Sequence, residues 1–201
     1  MITGNGPKEN ISLVRVMMRQ VAQLKRLTSD LLDVNRAANG KLFIEKTQID
    51  LGEVLSAAVE TSRGFIKKCG QKLIVKNIDS QIVVDGDFSR LMQLVTNLLN
   101  NAAKFSKMGD QIELLMERQG TWAVVSVKDT GIGLQQDMLR EIFNSYTQVE
   151  QSYSSTRGGL GLGLPLVKHI AQLHGGTVEA RSEGPNRGAE FIVRLPLSEK
   201  V

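Results

Sequence analysis

The sequence predicts an α+β protein: a two-layer α/β sandwich whose helices cover one face of a mixed sheet, preceded by one long bundle helix. Three observations predict it. From Glu9 to Ala38, apolar residues recur at alternating steps of three and four, the period of a helix. Beyond Gly40 the period switches back and forth between helix and strand, so the two element types alternate along the chain. With 201 residues, 41% of them apolar and 23% charged, the chain is an ordinary globular protein of one or two domains, able to bury a core.

In the first helix, Val14, Met17, Val21, Leu24, Thr28 and Leu31 form a heptad seam. Met18, Leu27, Leu32 and Val34 widen the stripe, so the helix wants more than one neighbour, as in a bundle; folding back on its own domain is the alternative. "AANG" ends it, with Gly40 as the stop. Residues 1–40 therefore form one unit and 41–201 another. In the second unit "KLFIEKTQ" reads as a strand, Leu51 to Cys69 as a helix, and "KLIVKN" and "QIVVDG" as short strands. Asp87 can cap a helix running to about Phe105. "DQIELLMERQG" and "TWAVVSVKD" are strands joined by a turn at Gly120. A helix near Leu134 to Phe143, a polar stretch from Thr147 to Arg157, a helix from about Leu160 to Leu173, and the strands "GTVEARS" and "AEFIVRLPL" complete the chain.

A formal charge of +4, with no dense Lys/Arg run among aromatics, argues against nucleic-acid binding and suits an anionic nucleotide equally well. The one cysteine, Cys69, cannot form an internal disulfide and is expected to pack as a small hydrophobe near a helix end, which fits a reducing compartment. "MITGNGPKEN" lacks the regions of a signal peptide, and no run is apolar enough to span a bilayer. The expectation is a soluble, cytoplasmic chain; a piece of a membrane receptor would look the same.

Three stretches carry chemistry. In "FSRLMQLVTNLLNNAAKF", Leu91, Val95, Leu98, Ala102 and Phe105 make one helical face, and Gln93, Asn97, Asn101 and Lys104 line up on another. Asparagine is a poor helix former, so Asn97, Asn100 and Asn101 close together favour a function, a solvated face being the alternative. Amide oxygens that coordinate Mg²⁺, with an ammonium one turn on for phosphate, would supply it. In "AVVSVKDTGIG", Asp129 is in phase with Ala123, Val125 and Val127, so its carboxylate points to the buried side, where a ligand amine would satisfy it; a simple turn cap is the alternative. Gly131 and Gly133 would let the backbone turn beneath a flat group. "RGGLGLGLPLVKHI" clusters glycines before a helix, where close backbone approach suits a phosphate, a flexible linker being the alternative; its spacing is neither that of a Walker loop nor that of a dinucleotide fold.

Taken together and in this order, these stretches resemble the ATP-binding catalytic domain of sensor histidine kinases, a Bergerat-type fold. "NLLNNAAKF" resembles the N box, "DTGIG" the first glycine box, "IFNSY" the F box and "GGLGLGLPLVKHI" the second glycine box. The likeness covers roughly Lys41 to Leu197. It extends into "LTSDLLDVNRAANGKL", which looks like the second helix of the dimerisation and phosphotransfer domain.

The resemblance implies ATP and Mg²⁺ as cofactors. By it Asp129 would read the adenine amine beside Gly131 and Gly133, and Asn101 would hold Mg²⁺ with Asn97 assisting. Lys104 would contact phosphate oxygens, so that Asn97 and Lys104 act at the transferred group. Thr147 to Gly158 would be the ATP lid, and Gly159, Leu160, Gly161, Leu162 and Gly163 would form the phosphate-facing turn. Phe143 and Tyr146 would anchor the nucleotide beneath the lid, simple core packing being the alternative, and Arg157 would reach a phosphate. The implied partners are a histidine-bearing helix of the dimerisation domain, the receiver domain of a response regulator and, at full length, a second copy.

The pattern breaks at the phosphoacceptor. His169 is followed by Ile170 and His174 by Gly175, where the family's acceptor precedes Glu or Asp. His174 is expected to favour its helix C-terminus. The chain thus reads as a piece of a larger kinase, cut inside its dimerisation domain, or as a partner that phosphorylates another polypeptide. Related ATPases carry a glutamate where Asn97 stands, so slow hydrolysis and phosphoryl transfer are expected. A non-catalytic interaction module and an ATP-hydrolysing relative are the rival readings.

Overall fold

The computed structural model describes residues 7–144 and 161–198. Helix α1 (Pro7–Ala38) starts on a proline, whose missing N–H costs nothing in the first turn. It stops where Gly40 takes φ +65° and the Lys41 amide donates to the Arg36 carbonyl at 2.7 Å. Leu13, Val14, Met17, Met18, Val21, Leu24, Leu31 and Leu32 are left exposed, whereas Asp33 and Val34 are buried. Among the described side chains of α1, those near its end pack on the rest of the chain and the apolar seam faces outward.

Strand β1 (Thr47–Asp50) leads into α2 (Leu51–Cys69), with Asp50 as the cap that accepts from the Gly52 amide at 2.8 Å. The strand expected from Lys41 begins only at Thr47, because residues 47–50 are the part that pairs with β3 (Val83–Gly86). Upstream, the Glu45 amide turns instead to the Asp87 carboxylate. Strand β2 (Lys72–Lys76) comes between α2 and β3. Helix α3 (Phe88–Phe105) has the expected Asp87 cap, which accepts from the Arg90 amide at 3.1 Å; such a cap stabilises by about 1 kcal/mol. Strands β4 (Gln111–Gln119) and β5 (Trp122–Asp129) follow, joined through Gly120 at φ +62°.

The helix expected near 134–143 shrinks to one turn, α4 (Met138–Glu141). Its leading residues are tied elsewhere, the Leu134 amide and the Gln136 side chain both bonding to Ser182. Helix α5 (Gly163–Leu173) starts after Gly161, whose φ of +69° ends any continuous helix from residue 160. Strands β6 (Thr177–Arg181) and β7 (Ala189–Pro196) close the fold.

The main sheet has the order β2-β4-β5-β7-β6, with β2 parallel to β4 and the other pairs antiparallel; β1 and β3 form a separate small sheet. On its inner face Ile112, Leu114, Met116, Ala123, Val125, Val127, Phe191, Val193 and Leu195 join Leu55, Leu91, Leu98, Leu166 and Ile170 of α2, α3 and α5 in one core. Each large side chain so buried contributes about 1.5–3 kcal/mol. The outer face carries cross-strand charge pairs instead, Glu113 opposite Lys128 and Lys128 opposite Glu190. Two layers, with helices on one face, are what the alternating periods predict. Helix α3 sits at the centre, touching α2, α5 and the sheet, and α1 rests against α5.

Candidate functional site

Strand parity delivers Asp129 to the buried side. It lies in phase with Ala123, Val125 and Val127 and is 4% exposed. Burial pushes its carboxyl up to about 6, against the backbone amides of Gly131 and Ala189, which favour the charged form, and the charge of Asp110 adds to the rise. The Gly131 amide donates to Oδ1 at 2.9 Å. Among the described residues no side-chain donor meets this carboxylate, so its remaining capacity to accept is open to a ligand.

The loop after Asp129 abuts the C-terminal turn of α3. The Ile132 amide donates to the Phe105 carbonyl at 3.1 Å. A Cβ at Gly131 would overlap that same carbonyl. Gly133 takes φ +67°, and a Cβ there would run into the Gly184 carbonyl. Both glycines are thus needed for backbone packing within the chain, a reason distinct from the flat group expected above them.

Along α3 the polar stripe divides in two. Its N-terminal part serves α1: Arg90 Nη1 meets Asp33 Oδ2 at 2.7 Å and Gln93 Oε1 at 2.9 Å, and Gln93 Nε2 donates to Asp33 at 3.2 Å. Gln93, expected on the chemical face, is committed to this ion pair. The C-terminal part holds Asn97, buried at 8%, then Asn101 and Lys104, both half-buried. Lys104 Nζ lies 4.7 Å from the Phe105 ring centroid, and burial holds its pKa below the ordinary lysine value.

In the second glycine stretch, Leu162 is buried and Gly163 opens α5 with nothing within 4 Å of where its Cβ would stand. Among the described residues no side chain caps this helix, and a helix start of this kind can give its first amides to an anion. Phe143 is buried edge-on against Phe191, with centroids 6.4 Å apart, which is core packing. Tyr146, Arg157, Gly159 and Leu160, with the lid segment 147–158, lie outside the described residues. The structure thus sets Asp129 and Gly131 beside Phe105, the last residue of α3, and packs α5 against that same helix.

The structure adds three supports to this arrangement. Gln71, 8% exposed, donates through Nε2 to the carbonyls of Ala103 at 3.0 Å and Ser106 at 3.1 Å, capping the end of α3. His174 stands at the end of α5, as the sequence predicts, and it is neutral there. Its Nδ1 donates to the Ile170 carbonyl at 2.8 Å and its Nε2 accepts the Asp87 amide at 3.0 Å, a pairing that fixes the neutral tautomer, and burial lowers its pKa. The loop 182–188 is bonded to the loop 129–134 at several points. The Gln71 bonds, the His174–Asp87 bond and the loop contacts join residues far apart in the chain and carry no local signature.

Comparison with known proteins fits this arrangement. The chain is 29% identical over 199 residues to the autoinducer 2 sensor kinase/phosphatase LuxQ of Vibrio parahaemolyticus, covering 96% of this chain and 23% of that protein. It is 33% identical to the alginate biosynthesis sensor protein KinB of Pseudomonas aeruginosa, covering 92% and 30%. The chain therefore spans less than a third of the length of these relatives. In fold it is similar to full-length ShkA, solved with AMPPNP (TM-score 0.78, 25% identity, 96% of this chain and 40% of that one). It is also similar to the catalytic domain of the histidine kinase ThkA (TM-score 0.66, 24% identity, 76% and 95%). Residues 86–199, more than half of the chain and the part that holds α3, Asp129 and α5, match one family model. With its mixed sheet, asparagine helix and glycine loops accounted for, the chain belongs to the histidine kinase-, DNA gyrase B- and HSP90-like ATPases.

Proposed function

We propose that residues 41–201 are the ATP-binding catalytic domain of a sensor histidine kinase and that residues 1–40 are the second helix of its dimerisation and phosphotransfer domain. The observation that carries the reading is the buried Asp129 carboxylate, met only by backbone amides among the described residues and abutting the amide-bearing end of α3. A buried charge costs several kcal/mol unless a partner compensates, and the exocyclic amine of adenine is such a partner.

The residues suit ATP and a hard cation. Asn100 Oδ1 is buried without a donor among the described residues, a cost of about 1–3 kcal/mol that a bound polar group would offset. We assign the cation to the hard amide oxygen of Asn101, with Asn97 one turn away on the same helix. Mg²⁺, when bound with the nucleotide, would neutralise charge on the phosphates.

Asp129 accepts from the base and orients it. Asn101, assisted by Asn97, holds the cation, and Lys104, with its charge partly desolvated, meets phosphate oxygens. The start of α5 gives backbone N–H groups to the phosphates. Asn97 cannot take a proton from water, which disfavours hydrolysis. The γ-phosphoryl then passes to an imidazole nitrogen as the bond to the β-phosphate oxygen breaks, and the imidazole proton leaves to a base on the acceptor helix.

Neither histidine here fits that acceptor: both His174 nitrogens are engaged, and His169 is followed by Ile170 where an acid is required. The acceptor histidine belongs to another helix, paired with the exposed seam of α1 in a bundle that also supports a homodimer. A response regulator aspartate is the onward recipient. Labelled ATP supplied with a separate acceptor-helix domain tests this. Acid-labile, base-stable phosphate on that domain is expected; ATP binding without transfer would favour the interaction module, and steady release of free phosphate the hydrolase.

A further inference from the structure

The 182–188 loop between β6 and β7 belongs to no motif the sequence analysis singled out, yet it holds the base-reading loop along its whole length. The Gly188 amide donates to the Gly131 carbonyl at 3.1 Å, and the Asn186 amide to the Ile132 carbonyl at 2.6 Å. A Cβ on Gly188 would overlap the carbonyl oxygen of Asp129 itself. At the hub stands Ser182. Its Oγ accepts from the Leu134 amide at 3.0 Å and from the Gly184 amide at 3.2 Å, and donates to the Gly188 carbonyl at 2.7 Å. Gln136 closes the set by donating from Nε2 to the Ser182 carbonyl at 2.9 Å.

One hydroxyl thus joins three backbone groups, two within its own loop and one at the far end of the 129–134 loop. The geometry points to Ser182 as a positioning residue for base recognition: it fixes the 182–188 loop as a splint that sets where the Asp129 carboxylate stands, and so how well adenine is told from other bases. This rests on the reading of Asp129 as the adenine contact. A carboxylate reads an exocyclic amine only within hydrogen-bond distance and at the right angle, so small displacements of its backbone weaken the contact steeply. The phosphates, held by α3 and α5, do not depend on this loop.

The test compares ATP, GTP and inorganic tripolyphosphate, each with Mg²⁺, binding to the whole chain and to Ser182→Ala and Ser182→Thr by calorimetry, with thermal unfolding alongside. Ser182→Ala is expected to weaken ATP by about five- to tenfold, the scale of one hydrogen bond, and to narrow the ATP-to-GTP ratio accordingly, leaving tripolyphosphate unchanged. Ser182→Thr, which keeps the hydroxyl, is expected to restore the ratio. Should Ser182→Ala fail to fold, Gln136→Ala on the exposed side of the same set is expected to move the ratio in the same direction, by less. Equal losses for all three ligands, or a lowered unfolding temperature with an unchanged ATP-to-GTP ratio, would overturn the assignment and leave the Asp129 reading intact. Absence of ATP binding by the unaltered chain would instead remove that reading and the inference together.

Discussion

Replacing Asp129 by Asn should stabilise the fold at neutral pH while removing the site's purpose. Burial raises the Asp129 carboxyl from 3.8 to about 6. An acid whose pKa is higher in the folded than in the unfolded state binds more protons when folded, so its contribution to stability falls as pH rises between those values. About two pH units at 1.36 kcal/mol each amount to roughly 3 kcal/mol, absent near pH 3.5 and fully expressed above pH 7. Asparagine keeps an oxygen for the Gly131 amide and does not titrate. The stability of Asp129→Asn relative to the unaltered chain should therefore rise by about 2–3 kcal/mol between pH 3.5 and 7.5, read from urea unfolding at each pH. ATP affinity at pH 7.5 should fall by about 1.5–3 kcal/mol, because an amide N–H would face the adenine amine. Parallel stability–pH curves for the two proteins would refute the buried charge, and unchanged affinity would take Asp129 out of the nucleotide site.

The other residues give sharper contrasts than affinity alone. Asn101→Ala should abolish the Mg²⁺ dependence of ATP binding, measured by titration with and without EDTA, while changing unfolding free energy by no more than about 0.5 kcal/mol. His174 has a lowered pKa in the folded state, chiefly from burial, with Lys46 lowering it further and the Ile170 carbonyl and Asp87 opposing. The unfolded chain then binds more protons below its ordinary value of 6.5, so this contribution to stability is lost as pH falls through that range. His174→Gln should flatten the acid limb of the stability–pH curve. Gln71→Leu strips its amide donors from buried carbonyls at the end of α3 and should cost about 1–3 kcal/mol in chemical denaturation.

Local physics made much of this fold legible. The limits of α2, the Asp87 cap and the inward phase of Asp129 each follow from neighbours within a few positions, and the structure bears them out. What escaped depends on residues far apart in the chain. Gln93 reads as part of a ligand-facing stripe until Asp33, sixty residues earlier, claims it. Strand β1 is shorter than its apolar pattern because strands extend only as far as a partner does. Gly131 and Gly133 look like room for a ligand, yet Phe105 and Gly184 fill that room. Ser182 sits among turn-forming residues, and its three bonds are visible only once the loops meet.

The central claim, that one magnesium-bound adenine nucleotide lies across α3, the 129–133 loop and the start of α5, is tested most directly by NMR. Backbone amides of the isotope-labelled chain would be followed during titration with a non-hydrolysable ATP analogue and Mg²⁺. The account predicts a single saturating transition that shifts Asn101, Lys104, Gly131, Gly133 and Gly163 together, with the outer sheet face around Glu113 and Lys128 unmoved. Shifts confined to one of the three segments, or separate transitions for each, would contradict it.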